Sequence, residues 1–285
     1  MWITSLKACK MDHSLQTPIF RSTDKLAPFT LYQADCNTIL RQMPECFDFI
    51  FADPPYFLSN GGLSIQSGEI VSVNKGHWDQ SKGLESMHAF NMAWLQVAKS
   101  ALKPGGSICI SATHHNLFSL GLALQELGFK ILNLITWQKS NPPPNFSCRY
   151  LTHSSEQIIW ARKSPKHKHI FNYELLKKIN ENRQMRDVWV LPAIAPWEKK
   201  QGKHPTQKPL RLLVRLILMA SHPNSLIGDP FSGSGTTGIA ANLLGRAFVG
   251  IEKEGAFIEL SIQRRGALET HFESIRSKIK DLELC

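Results

Sequence analysis

The sequence predicts an α/β fold, and three observations carry the prediction. Short apolar runs that read as buried strands alternate with stretches of helical period. Two of these runs, 47–52 and the one closing on Glu252, end in residues fit to touch a ligand, and open α/β sheets place ligands at strand carboxyl ends. A glycine-rich turn at 229–238 joins a strand candidate to a helix candidate, as nucleotide-binding turns do in such sheets.

Residues 1–28 show weak periodicity and read as an N-terminal arm. Residues 29–33 alternate as a strand does and lead to Asp35-Cys36, 37–43 is a short helix, and 47–52 is a mostly apolar strand. Residues 57–87 are rich in glycine and serine and lack a clean period; long loops in compact domains are usually functional or disordered. A helix over 87–102 is stopped by Lys103-Pro104-Gly105-Gly106. Strand 107–111, helix 116–127 with Gly128 past its end, and strands 129–137 and 156–161 follow. Residues 162–203 break the rhythm with basic clusters, Pro192, Pro196 and a short helix at 173–180. The chain then resumes with helix 209–221, strand 225–228, loop 229–235, helix 236–244, strand 247–251 and helix 255–269, before a charged helical tail at 270–285.

The 285 residues suffice for one large domain with an insertion. No apolar stretch approaches the roughly 20 residues that span a membrane, and Ser5 and Lys7 interrupt any signal-peptide core. A cytoplasmic protein without membrane association is expected. Six cysteines (9, 36, 46, 109, 148 and 285) show neither CxxC pairs nor metal-ligand spacing, so reduced thiols and no metal site are expected. His114-His115 has no partner cysteine or carboxylate at useful spacing and reads as a strand-end loop. The formal charge is +10. From Lys139 to Arg211 there are 15 basic and 5 acidic residues, against 18 of each elsewhere. Concentration of the whole excess in one segment favours a polyanion-binding face over a merely solvated surface.

Asp53-Pro54-Pro55-Tyr56 follows the strand 47–52. Its prolines remove two amide donors and stiffen the turn. Carbonyls and an aspartate remain to accept, and a ring to stack, which suits an exocyclic amine on a flat base. In the second constellation, 229–238, glycines let the backbone approach a ligand closely, and Glu252 farther on can accept both hydroxyls of a ribose. An adenosine-containing cofactor is expected. Gly233, Gly235 and Gly238 formally match GxGxxG, which opens a dinucleotide reading. Against it, Asp229-Pro230-Phe231 suits an ammonium group and a thioether chain better than a pyrophosphate. The absence of GK[ST] excludes a P-loop. Between the two constellations lies Lys203-His204-Pro205-Thr206-Gln207-Lys208-Pro209, where a lysine and a hydroxyl ahead of a helix can hold a carboxylate.

Together these motifs resemble the DNA amino-methyltransferases that use S-adenosylmethionine. Asp53 to Tyr56 matches their catalytic motif, Phe231-Ser232-Gly233-Ser234-Gly235 their FxGxG loop, and His204 to Pro209 their HPTQKP motif. Because the catalytic motif precedes the cofactor loop, the chain resembles the β group. The resemblance implies a Rossmann-like mixed sheet of the S-adenosylmethionine-dependent methyltransferase type, circularly permuted, with an inserted target-recognition region. The implied catalytic domain spans 29–269, with a target half at 29–161, recognition region at about 139–203 and cofactor half at 204–269. Stretches 57–62, 75–79, 137–142 and 147–153 resemble the second adenine methyltransferase of the DpnII restriction system, specific for GATC. Stretches 141–146 and 185–189 also resemble the HinfI and cell-cycle-regulated type, specific for GANTC. GATC is the preferred target.

A base inside a duplex cannot present its amine to a buried cofactor, so the resemblance implies flipping of the adenine. Tyr56 would stack on it, while Asp53 and the carbonyl of Pro54, in the turn stiffened by Pro55, would accept its amino hydrogens. The implied cofactor contacts are Asp35 and Cys36 at its adenine, Glu252 at its ribose, and Asp53 and the run Asp229, Phe231, Ser232, Gly233, Ser234, Gly235 and Thr236 around its methionine part. His204, Thr206 and Lys208 would lie at its carboxylate. Lys139, Asn145, Arg149, Tyr150 and His153 are the DNA contacts expected, since asparagine suits adenine edges and arginine guanine edges. Double-stranded DNA is the expected partner, with single strands, a homodimer and a cognate restriction endonuclease as further possibilities. A cytosine-N4 enzyme shares the tetrad's logic but more often carries serine at the place of Asp53. Attack on a cytosine ring would need a cysteine after a proline, and none of the six stands there. A non-catalytic nucleic-acid binder would be expected to carry a damaged motif, and both motifs are intact.

Overall fold

A computed structural model of the chain describes residues 16–56, 63–66, 69–72, 83–142, 144–145, 148–202 and 204–279. Stretches 57–62 and 75–79 of the resemblance, and much of the predicted arm and tail, lie outside them. The elements in chain order are β1 (Phe20–Ser22), β2 (Phe29–Gln33), α1 (Cys36–Arg41), β3 (Phe47–Ala52), β4 (Leu63–Gln66), β5 (Glu69–Ser72), α2 (Leu84–Ala101), β6 (Leu102–Ala112), α3 (Leu117–Glu126), β7 (Lys130–Lys139), β8 (Ser155–Arg162), α4 (Tyr173–Ile179), β9 (Val188–Leu191), α5 (Leu210–Ala220), β10 (Leu226–Asp229), α6 (Thr236–Leu243), β11 (Ala247–Glu252) and α7 (Gly255–Arg276).

Nine strands form one mixed sheet in the order β1-β2-β11-β10-β3-β6-β8-β7-β9. The central run from β2 to β6 is parallel, while β1 and β8 run antiparallel to their neighbours. Parallel strands are covered on both faces and so read as nearly unbroken apolar runs. All four residues of β10 and five of the six in β3 are buried accordingly. One core packs under α5, α6 and α7, the other under α1, α2 and α3. From β10 the chain crosses through α6 to β11 on one side, and from β3 through α2 to β6 on the other. Neighbouring β3 and β10 therefore flank a topological switch point, where such sheets open a crevice beyond their carboxyl ends.

Several elements differ from the sequence reading: β1, within the predicted arm, pairs with β2, and β4 and β5 pair with each other inside the predicted loop 57–87. β6 begins at Leu102, so Lys103-Pro104-Gly105-Gly106 enters the sheet instead of looping out. The register against β3 jumps between Phe47 and Phe49, which absorbs the extra residues, and Lys103 pairs with Asp48 at 2.8 Å. β9 lies inside the aperiodic stretch 162–203 and extends the sheet at its edge, with Trp189 and Leu191 buried and Val188 and Val190 exposed. α7 continues to Arg276 across a kink at His271 (φ −123°, ψ 29°), joining part of the predicted tail to the preceding helix. Cys36, Cys109 and Cys148 are free thiols. Among the described residues no helix is long and apolar enough to cross a membrane, and no cluster of ligands suits a metal ion.

Candidate active site

A cavity of about 220 Å³ opens at the carboxyl ends of β2, β3, β10 and β11. Asp35, Asp53, Glu252 and Glu254 line it beside Lys253, and Phe90, Phe231 and Phe257 supply apolar surface.

The wall beyond β10 is the glycine loop. Gly235 adopts φ 73°, and a Cβ there would collide with Ser261 of α7. A Cβ at Gly238 would run into the rings of Phe29 and Phe248, so glycine lets α6 close onto the sheet. The loop is tied down by backbone amides, hydroxyls and a few buried charged groups. Ser232 donates its amide to the Ile251 carbonyl (3.0 Å), and Gly235 donates to Ser232 (2.8 Å). Buried Arg264 of α7 donates to the Ser234 carbonyl (2.7 Å) and to the Thr236 hydroxyl (2.8 Å). Glu252 accepts from the amides of Gly233 (2.8 Å), Lys253 (2.8 Å) and Glu254 (3.0 Å), which fixes the carboxylate's orientation at the cavity. Asp229 accepts from the Phe231 amide (3.0 Å) and the Thr237 hydroxyl. Burial pushes its carboxyl up to about 7. Phe231 and Gly233 line the cavity, while Asp229, Ser232, Ser234, Gly235 and Thr236 are buried in the wall behind.

Asp35 caps α1 through the Asn37 amide (2.8 Å) and pairs with Lys253 (2.7 Å). Beside it, burial and the Asp35 charge push the Cys36 thiol up to about 12, so it presents a neutral group to the cavity.

The tetrad forms the wall beyond β3. Asn116 donates to the Pro55 carbonyl (3.2 Å) and anchors the turn to α3. The Tyr56 hydroxyl donates to Asp53 (2.6 Å), shares a hydrogen bond with Ser111 of β6 (3.0 Å) and reaches Glu156 of β8 (3.4 Å). Lys208 donates to the other oxygen of Asp53 (2.6 Å) and to the Tyr56 hydroxyl (2.9 Å), and lies 3.5 Å from Glu156. Glu156 in turn pairs with Lys139 at the end of β7 (2.7 Å). Side-chain exposures of 6% for Lys208, 13% for Glu156 and 20% for Lys139 mark a shielded cluster rather than a surface pair. Burial opposes the Glu156 charge, but the Lys208 and Lys139 ammoniums overcome it and hold the carboxyl at about 2. Burial likewise opposes the Lys208 charge, and Asp53 and Glu156 overcome it, raising that group.

His204 and Thr206 line the cavity from the loop ahead of α5. The His204 ring packs edge-on against Phe257 (4.2 Å between centroids) and accepts from the Thr206 amide (3.2 Å). Lys208, expected at a cofactor carboxylate, instead commits its ammonium to Asp53 and Tyr56, because a cation so buried requires acceptors. Buried Glu198 accepts from the amides of Ala195 and Leu210 and braces this loop.

The expected DNA contacts divide. Lys139 belongs to the shielded cluster. Asn145, Arg149, Tyr150 and His153 lie on the exposed loop before β8, where Asn145 donates to the Tyr150 carbonyl. Tyr150 lies tilted against His153 (5.3 Å, 39°), which lies nearly parallel to His114 (5.0 Å, 17°). The loop thus meets the end of β6, three residues from the Ser111 that touches Tyr56. Sequence reasoning missed Ser111, Asn116, Glu156, Glu198 and Arg264. Only Glu156 carried a signal, as an isolated acid opening an apolar strand within the basic segment.

The family model described as DNA methylase matches residues 47–263. The chain is similar to the type II methyltransferase M2.MboI of Moraxella bovis, with 56% identity over 87% of this chain and 90% of the relative. It is similar to the type II methyltransferase M2.DpnII of Streptococcus pneumoniae, with 52% identity over 82% of this chain and 88% of the relative. The crystal structure of the M1.HpyAVI-SAM complex superposes with a TM-score of 0.64 at 27% identity, covering 83% of this chain and 98% of that one.

Proposed function

This chain belongs to the DNA methylase family, and on that premise we propose that it transfers a methyl group from S-adenosylmethionine to the N6 amine of a flipped-out adenine in GATC. One observation carries the reading: the Asp53 turn and the Glu252 carboxylate line a single cavity at the switch point of the sheet. The GATC target rests on the motif resemblance set out above.

The lining fits the cofactor. The acidic groups of the lining outnumber its one lysine and favour a sulfonium and an ammonium, aromatic rings favour a purine, and Glu252 has its oxygens oriented for ribose hydroxyls. Bound there, S-adenosylmethionine supplies an electrophilic methyl group. Asp35 and Cys36 would meet its adenine, and Phe231, Gly233, His204 and Thr206 its methionine part, with Asp229, Ser232, Ser234, Gly235 and Thr236 shaping the wall.

At the tetrad, Asp53 retains acceptor capacity, since a carboxylate offers about four lone-pair sites and two are used. Among the described residues no hydrogen bond reaches the Pro54 carbonyl. Both would accept the two amino hydrogens of the adenine and aim its nitrogen. Tyr56, its hydroxyl pinned by neighbours, would offer its ring for stacking. Positioning and charge supply the rate. The basic segment would hold the phosphates, with Asn145, Arg149, Tyr150 and His153 near the flipped base. A homodimer and a cognate restriction endonuclease complete the proposal.

The test is methyl transfer from labelled S-adenosylmethionine to duplexes containing GATC, GANTC or AATT. Label on the adenine of GATC alone is expected. Label on GANTC would overturn the target and keep the chemistry; no label on any duplex or single strand would overturn the reading.

A further inference from the structure

Glu156 has no part in the function proposed above, yet it occupies the centre of the charge cluster behind Asp53. We propose that Glu156 is a positioning residue for methyl transfer, bridging Lys139 and Lys208 so that the Lys208 ammonium stays on Asp53 and the Tyr56 hydroxyl. The inference rests on the methyl-transfer reading.

Its place on a strand makes Glu156 a fixed point. It sits on β8 in register with Trp137 of β7, and Lys139, two residues farther along β7, reaches back to its Oε1. Its other oxygen, Oε2, faces Lys208 (3.5 Å) and the Tyr56 hydroxyl (3.4 Å). A carboxylate with each oxygen held by a different element cannot swing, and supporting shells of this kind set the geometry of first contacts. The groups facing Lys208 are Asp53 and Tyr56 after β3, Glu156 on β8 and the Thr206 carbonyl, with Lys139 behind Glu156 and Ser111 behind Tyr56. The two acids balance the two lysines, so the cluster is neutral as a whole. Because two acids share the Lys208 ammonium, Asp53 does not absorb its whole charge and remains a strong acceptor for a substrate amine. Without Glu156, Asp53 alone would carry the Lys208 charge and would be a weaker acceptor for that amine.

This role has a pH signature that simple loss of folding lacks. Burial works to discharge Lys208, and the two acids oppose it. With the Glu156 charge removed, only Asp53 opposes burial, and Lys208 loses its proton at lower pH. The alkaline fall in rate then moves down.

The experiment measures single-turnover methyl transfer to a GATC duplex, at saturating DNA, between about pH 7 and 11, for the wild type, E156Q, E156D and K139Q, the wild-type limb lying above the ordinary lysine value of about 10.4. For E156Q a loss of about tenfold or more in rate is expected, since small misplacements near reacting atoms are costly. The KM for S-adenosylmethionine should stay within about twofold, as for a group acting on the chemical step. The alkaline limb should move to lower pH and enter this range, since Glu156 is one of the two acids that raise Lys208. E156D keeps the charge and should keep the wild-type limb while recovering part of the rate. K139Q, at the outer edge of the cluster, should fold, lose rate about threefold and keep the limb high, because Glu156 still faces Lys208. E156Q with the wild-type rate and limb would overturn the proposal, as would a reduced active fraction with an unmoved limb. Should E156Q not fold, wild-type behaviour of both E156D and K139Q would overturn it. A wild-type protein that methylates no DNA would sink the methyl-transfer reading and the inference together; an active wild type beside an unaffected E156Q sinks the inference alone.

Discussion

The glycine loop and the tetrad face each other across one cavity, and they are held by different forces. The loop at 229–236 is shaped by backbone amides, hydroxyls and one buried arginine, with glycines where a Cβ would collide with Ser261 or Phe248. The tetrad at 53–56 is held by charges that converge from β8, β7 and the loop before α5. A wall built by shape tolerates changes of charge elsewhere and fails on added volume. A wall built by charge fails when one ion is removed, because its partner is left buried and unpaired.

The largest expected effect breaks the charged wall alone. Asp53→Ala should lower the rate of transfer by about 10²–10³-fold, the usual cost of removing one group aimed at the reacting atoms. Binding of S-adenosylmethionine, followed by calorimetry, should change far less; equal losses in both would erase the division between the walls. Asp229 is the exception inside the shaped wall, a carboxyl raised from 3.8 to about 7 by burial. Between those values the folded state binds more protons than the unfolded state, so stability falls as pH rises through that window. At about 1.4 kcal/mol per unit the full effect is at most about 4 kcal/mol. Asp229→Asn should flatten the decline in denaturant midpoint over that window, and an unchanged slope would assign it to other groups. Gly238→Ala adds a methyl against Phe29 and Phe248, and overpacking of this kind costs about 1–3 kcal/mol. Chemical denaturation should show that loss, with Asp53 chemistry intact in the folded fraction. Smallest should be Tyr150→Ala on the exposed loop. Base stacking on an aromatic side chain contributes about 1–3 kcal/mol, so a tenfold weaker DNA affinity at unchanged cofactor affinity is expected in a binding titration. No change in DNA affinity would remove Tyr150 from the interface.

The two walls also differ in how well the sequence reveals them. Asp53 to Tyr56 and Asp229 to Gly238 are contiguous, and each states its local geometry through prolines or glycines. Strand 47–52 and the helix after Gly235 were legible for the same reason. Lys208 and Asp53 meet across 155 positions, and Arg264 reaches Ser234 across 30, so nothing local announces either contact. Lys139 illustrates the opposite error. A lysine opening a basic segment reads as a phosphate contact, but its ammonium is turned inward to Glu156. β9 escaped notice because Val188-Trp189-Val190-Leu191 is only four residues long, within a charged stretch. The start of β6 was misplaced because Pro104-Gly105-Gly106 usually ends regular structure, and here a register jump carries it into the sheet.

The Lys208 contact also orders events during protein synthesis. Translation releases Asp53, Tyr56 and Glu156 well before residue 208 of the 285. A nascent chain therefore carries Asp53 before the buried ammonium that pairs with it has been made. A product that ends before residue 208 lacks the ammonium that holds Asp53 and the Tyr56 hydroxyl together.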